Sequence, residues 1–208
     1  MIISKILPQK GHIFKIYFSD GSVTELDKDI CLQKGLSEND HVEIETLKEL
    51  EYLSSYKLAK SRALWYLDRQ DYTEKKLYEK LIQKGFEKKA CAEVLARLIE
   101  ISAVNDRRYA ERYAEKLLEA NVSKREALQK MLIRGVPIDL AKEVLCDFTV
   151  DEEDQIYSLI EKKYAAKLQG ENGYQKVFAA LARKGFSFSA IKSVLKKFIE
   201  DIEFSEEY

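Results

Sequence analysis

Leu77-Tyr78-Glu79-Lys80-Leu81-Ile82-Gln83-Lys84-Gly85-Phe86 recurs twice further along the chain, as Ala127–Val136 (ALQKMLIRGV) and Val177–Phe186 (VFAALARKGF). Gly85, Gly135 and Gly185 are spaced evenly at 50 residues with no gap. The register holds on both sides. Thr73, Ser123 and Gly173 precede the apolar run; Val94-Leu95, Val144-Leu145 and Val194-Leu195 follow it, then Leu98, Phe148 and Phe198. Self-similarity at this period means one small structural unit used three times.

Each copy reads as a capped amphipathic helix. Leu77, Tyr78, Leu81 and Ile82 form one apolar stripe. Thr73 and Ser123 are N-cap residues, and Ser123 with Glu126 has the spacing of a capping box; Asn172-Gly173 is a weaker cap. Lys84, Arg134 and Lys184 fall in the last turn, where a cation suits the helix dipole. The glycine after each is a helix stop free to take positive φ. A second helix follows at once, with Pro137 tolerated in its first turn. Another precedes the capped one, at about Ser55–Arg69, Asn105–Ala120 and Asp151–Leu168, with Asn105 a suitable N-cap.

Residues 1–47 have a different texture. Ile2–Ile6 and His12–Phe18 are rich in β-branched and aromatic residues, Asp20-Gly21 is a hairpin signal, and Ser22–Leu26 supplies a third strand. A short helix near Asp29–Lys34 covers one face. So small a sheet leans on the helices that follow, and Trp65 and Tyr66 are apolar bulk available for that contact. The expected fold is mainly α: three tandem three-helix repeats forming an elongated array, preceded by a small N-terminal β-meander. The segments are 1–47 for the sheet, 48–102, 103–150 and 151–200 for the repeats, and 201–208 for a frayed acidic tail.

The 208 residues carry a formal charge of −1, which alone predicts no polyanionic partner. The distribution says more. Residues 1–53 are net −4, residues 54–199 net +8 and residues 200–208 net −5, a basic body between acidic ends. Cys31, Cys91 and Cys146 are odd in number and form no C-x-x-C. Cys91 and Cys146 are expected as small core residues, in a reducing compartment. No apolar run has the length of a membrane span, and the first residues are too short for a signal-peptide core. The chain reads as soluble and cytoplasmic.

His12 and His41 are the only histidines and both lie in the β-rich segment, which removes a histidine-based triad from the helical body. There is no P-loop, dinucleotide fingerprint, zinc-finger spacing or EF-hand loop. The reading is of a protein that is not an enzyme, with no cofactor and no metal. The candidate binding residues are basic: Arg69, Lys84, Lys88, Lys89, Arg107, Arg108, Arg112, Lys124, Arg125, Arg134, Arg183 and Lys184. Arg107-Arg108 and Lys124-Arg125 sit at helix starts, where the dipole disfavours cations. That suggests an anionic partner there; the alternative is an ordinary solvated helix face. Tyr66, Tyr72, Tyr78, Tyr109 and Tyr113 suit base stacking, but at helical spacing they fit core packing better. A helix-turn-helix reading is open, although the third helices are poor in base-reading side chains, so contact with the nucleic-acid backbone fits better.

Ala63–Leu77 (ALWYLDRQDYTEKKL), Val104–Ala110 (VNDRRYA) and Leu128–Val136 (LQKMLIRGV) resemble the RecX regulatory proteins over about residues 55–200. Asn105 stands where that family often has an acidic residue, and Asn121-Val122 where glycine is common. The resemblance implies tandem three-helix repeats that bind the RecA recombinase. It implies lodging in the groove of the RecA–DNA filament, inhibition of recombinase and ATPase activity, and contact with DNA, single-stranded within the filament. On this reading the protein is a monomer that blocks filament growth, and charge reversal at Arg107, Arg108, Lys124 and Arg125 weakens inhibition without unfolding it. The alternatives are a standalone nonspecific DNA-binding protein and a helical scaffold for other proteins.

Overall fold

In the computed structural model, which describes the backbone of residues 1–206 and the side chains of residues 1–200, the chain forms two compact units, Met1–Asn105 and Asp106–Tyr208. In the first, β1 (Ile3–Gln9), β2 (Ile13–Phe18) and β3 (Val23–Asp27) make an antiparallel meander in sequential order. Ile16 lies opposite Ile6 on β1 and Thr24 on β3. Helix α1 (Lys28–Gln33) follows. Then come α2 (Ile44–Leu67), α3 (Glu74–Gln83) and α4 (Lys88–Glu100), the first repeat.

Helix α2 is longer than the sequence pattern predicts. It begins at Ile44, inside the segment assigned to the sheet, because its first turns close the sheet's core. Leu50 and Leu47 pack with Ile3, Ile16, Leu26 and Val42. Polar groups fix the same contact. Asp27 is only 2 % exposed. Its carboxylate caps α1, accepting from the Asp29 and Ile30 amides, and accepts from Lys57 Nζ of α2 at 2.7 Å. Its own N–H donates to Ser54 Oγ at 2.5 Å.

The second unit holds α5 (Asp106–Glu119), α6 (Lys124–Ile133) and α7 (Ile138–Asp147), then the third repeat. There, α8 (Glu152–Leu159) runs through a π-helical turn (Ile160–Tyr164) into α9 (Ala165–Leu168), followed by α10 (Gly173–Arg183) and α11 (Phe188–Glu206). Buried Ala110 and Ala114 correspond to Ile156 and Ile160, 46 positions on, whereas the glycines are 50 apart. Four extra residues therefore lie between this stripe and the glycine. The wide π-helical turn and the Gln169–Gly173 connection lie within that stretch. Helix α11 continues through most of the expected tail, and residues 207 and 208 lie outside the described residues.

The 50-residue register reappears as burial. Leu77 and Leu81, Ala127 and Met131, Val177 and Leu181 are all fully buried. They meet Val94 and Leu95, Val144 and Leu145, Val194 and Leu195 in three separate cores. Each capped helix ends in the same Schellman pair of bonds, Gly85 to Ile82 and Phe86 to Leu81, repeated by Gly135–Val136 and Gly185–Phe186. The glycines have φ of +86°, +89° and +89°. Thr73 and Ser123 cap as expected, accepting from the amides of Lys76 and Glu126.

The third copy differs. Its N-cap is Asn172 in the left-handed region, and Gly173 is the first helical residue. A Cβ on Gly173 would lie 2.2 Å from the Leu168 carbonyl oxygen, so glycine is demanded by close backbone approach. Asn121, where the resembling family favours glycine, takes φ +56°, which asparagine tolerates better than most residues. Cys91 is fully buried as expected, but Cys146 is exposed. It follows Val144-Leu145 on α7 and has already turned off the buried stripe.

Candidate functional site

The predicted basic residues divide between the two units. In the first, Arg69 packs over Trp65, its guanidinium carbon 3.5 Å from the ring centre, and donates to the Trp65 carbonyl at 2.9 Å. Lys89 sits over the Tyr52 ring at 4.8 Å. The Tyr52 hydroxyl donates to Glu93, and that bond pushes the phenol up to about 12. Lys84 and Lys88 are exposed on either side of Gly85.

In the second unit, the cations at helix starts have partners within the fold. Arg107 pairs with Glu143 at 2.6 Å and more loosely with Glu111 at 3.9 Å. The Glu143 bond raises the Arg107 pKa further. Lys124 Nζ donates at 2.6 Å to the carbonyl of Phe148, the C-cap of α7. A cation badly placed for its own helix is thus well placed for the end of the next. These contacts give the helix-start cations an architectural role that spacing alone does not reveal. Arg134 lies over Tyr113 at 5.7 Å, and Arg183 donates to the Ala179 carbonyl. Arg108 and Arg112 are exposed on α5.

One cluster brings predicted residues together. Ser123 Oγ, while capping α6, donates at 2.5 Å to the carbonyl of Lys184 at the end of α10. A Cβ on Gly185 would come within 3.0 Å of both Ser123 Oγ and Arg125 Cβ. The start of α6, with Lys124 and Arg125, therefore abuts the end of α10 at Lys184, and the second and third repeats share this joint. Gln155 of α8 also donates to the Leu118 carbonyl.

Spacing alone misses another site. Lys10, Ile13, Leu58, Arg62, Trp65 and Phe86 line an open groove of about 490 Å³ in the first unit, between the β1–β2 hairpin and α2. Tyr66 faces the repeat core at 9 % exposure, whereas Trp65 is 45 % exposed. The sequence signal was there, a tryptophan flanked by arginines at i−3 and i+4, but Lys10 arrives only through the fold. The five candidate stacking tyrosines belong to the two cores beside them, as packing predicts. Among the described residues no His, Cys, Asp and Glu cluster could hold a metal ion, and no helix is long and apolar enough to cross a membrane.

A small meander followed by three-helix units, each closed by a glycine Schellman turn and built on a charged surface, defines a class of helical-repeat protein. The family model for the first three-helix domain of RecX matches residues 59–98, and that for the third matches residues 151–195. Two relatives, each named "Regulatory protein RecX", agree over nearly the whole chain. That of Clostridium perfringens (strain 13 / Type A) is 29% identical over 203 residues, covering 94% of this chain and 95% of its own. That of Clostridium tetani (strain Massachusetts / E88) is 28% identical over 208 residues, covering 95% and 94%. A crystal structure of a regulatory protein RecX superposes with a TM-score of 0.65 at 22% identity, covering 94% of this chain and 98% of that one. RecX from Lactobacillus salivarius superposes at 0.61 and 23% identity, covering 69% and 96%. Over nearly its whole length the chain is similar to the RecX regulatory proteins, and it carries the fold of their three-helix domains.

Proposed function

We propose that this protein regulates the RecA recombinase by binding the RecA–DNA filament in its groove, opposing filament growth and inhibiting strand exchange and ATP hydrolysis. Similarity to RecX regulatory proteins across nearly the full chain is the observation that carries this reading. The architecture supports it. A filament presents the same surface again and again, and this chain carries one three-helix module three times. Linked weak contacts gain avidity without any one being strong. The excess of cations over residues 54–199 suits a partner that carries a polyanion, and the acidic ends disfavour tight binding to naked DNA. The proposed contact residues are the exposed cations Arg69, Lys84, Lys88, Lys89, Arg108, Arg112, Arg125, Arg134 and Arg183, with Arg107, Lys124 and Lys184 supporting the surface. The protein acts as a cytoplasmic monomer, without cofactor or catalysis of its own.

Co-sedimentation tests this. The protein should pellet with RecA filaments on single-stranded DNA and pellet far less with the same DNA alone, at low and at physiological salt. Equal, strongly salt-dependent recovery on naked DNA would favour a standalone DNA-binding protein. No recovery in either case would favour a scaffold for other partners.

A further inference from the structure

The groove in the first unit joins an apolar surface to two cations. Its apolar surface comes from Ile13, Leu58, Phe86 and the indole of Trp65, and its charge from Lys10 and Arg62. No carboxylate is among the described residues lining it. Its volume, about 490 Å³, lies within the roughly 300–1,000 Å³ of small-ligand sites. Trp65 is held for contact rather than left to swing. Arg69 packs on it at 3.5 Å and bonds its backbone, and Arg62 approaches the ring at 5.3 Å.

We propose that this groove is a subsite for single-stranded nucleic acid, with one base against Trp65 and the adjoining phosphate between Arg62 and Lys10. Two features favour a nucleotide over an acidic peptide. A peptide needs backbone hydrogen-bond partners along the groove, and beyond the two cations the side chains lining it offer only the Ser61 hydroxyl and the Trp65 indole N–H. A nucleotide needs a flat apolar face and a cation at phosphate distance, which is the chemistry of sequence-tolerant strand binding. The hairpin tip, part of a segment that is acidic overall, thus contributes a cation to the groove. The inference deepens the filament-binding reading by giving its nucleic-acid component a site, and it rests on that reading for its biological setting.

Trp65 is the only tryptophan, so its fluorescence reports on the groove directly in the intact protein. Titration with a short oligodeoxythymidine should quench it. Trp65→Leu should weaken binding of a labelled oligonucleotide by a factor of about 5 to 150, and Trp65→Phe should restore most of it. Arg62→Gln should weaken binding and lower the slope of log affinity against log salt by about 0.7. Cooperative melting of each variant confirms folding. Unquenched Trp65, or a Trp65→Leu variant that binds like the parent, overturns the proposal. Quenching by a glutamate- and phenylalanine-rich peptide but not by the oligonucleotide also overturns it, and gives the groove to a protein partner. RecA ATPase inhibition by the parent protein, read in parallel, separates the two ideas: inhibition without quenching removes only the subsite, and quenching without inhibition removes only the regulator reading.

Discussion

Gly85 and Gly185 have nearly the same backbone angle and very different neighbours. A Cβ on Gly85 would meet nothing within 4 Å, so Gly85→Ala should cost only the left-handed strain, about 1–2 kcal/mol. Gly185→Ala should cost more, because the added methyl must also displace Ser123 Oγ and Arg125 at 3.0 Å. Urea unfolding midpoints check the order, and equal losses would contradict the close contact between Gly185 and the start of α6. The evenly spaced glycines were readable from sequence as helix stops. The crowding around Gly185 was not, since Ser123 lies 62 positions away and only the fold brings it there.

Lys57 gives a residue-scale prediction in pH. Hydrogen bonds to Asp27 and Asp29 raise its pKa, and the Lys57 bond lowers that of Asp29. A raised lysine contributes stability that is full below its unfolded value of about 10.4 and is lost as pH climbs through the folded one. A lowered aspartate contributes stability that is full above about 3.9 and is lost as pH falls through its folded value. The melting-temperature gap between the parent and Lys57→Gln should therefore be flat between these limits and shrink beyond each. A gap that ignores pH would show that the pair does not couple to folding. Cysteine chemistry offers a second check. Burial, helped by Asp27, pushes the Cys31 thiol up to about 11, and Cys91 is buried, so a thiol reagent at neutral pH should label Cys146 first.

At the scale of elements, the helices follow from stripes and caps, and their differences follow from tertiary contact. The cap bond from the Lys76 amide to Thr73 contributes about 1 kcal/mol, which Thr73→Ala removes. Ser123→Ala removes the cap bond from the Glu126 amide and also strips the Lys184 carbonyl of its donor, so it should destabilise the third repeat as well as the second. Hydrogen exchange on α6 and α10 distinguishes this from a purely local effect. Gly173→Ala should be among the most damaging single changes, because a methyl 2.2 Å from a backbone oxygen cannot be accommodated by rotating a side chain. In the sequence, Asn172-Gly173 reads only as a weak cap. Its packing role depends on the wider helix turn before it, and residue spacing does not distinguish a π-helical turn from an α-helical one.

For the molecule as a whole, the repeat, the meander and the basic body were readable, because each is a pattern along the chain. The groove was not, because it joins Lys10 to Arg62 across the fold. Nor were the internal partners of Arg107 and Lys124, which come from α7. Reversing those two charges should lower the melting temperature as well as any binding, since Arg107→Glu would face Glu143 and Lys124→Glu would face a carbonyl. Any charge-reversal test of partner contact therefore needs a melting curve beside each binding assay. The most direct test of the central claim is the single-stranded-DNA-dependent ATPase of RecA, measured as this protein is added to preformed filaments. A progressive fall in hydrolysis at substoichiometric ratios to RecA is the predicted result, and an unchanged rate at saturating protein would contradict the account.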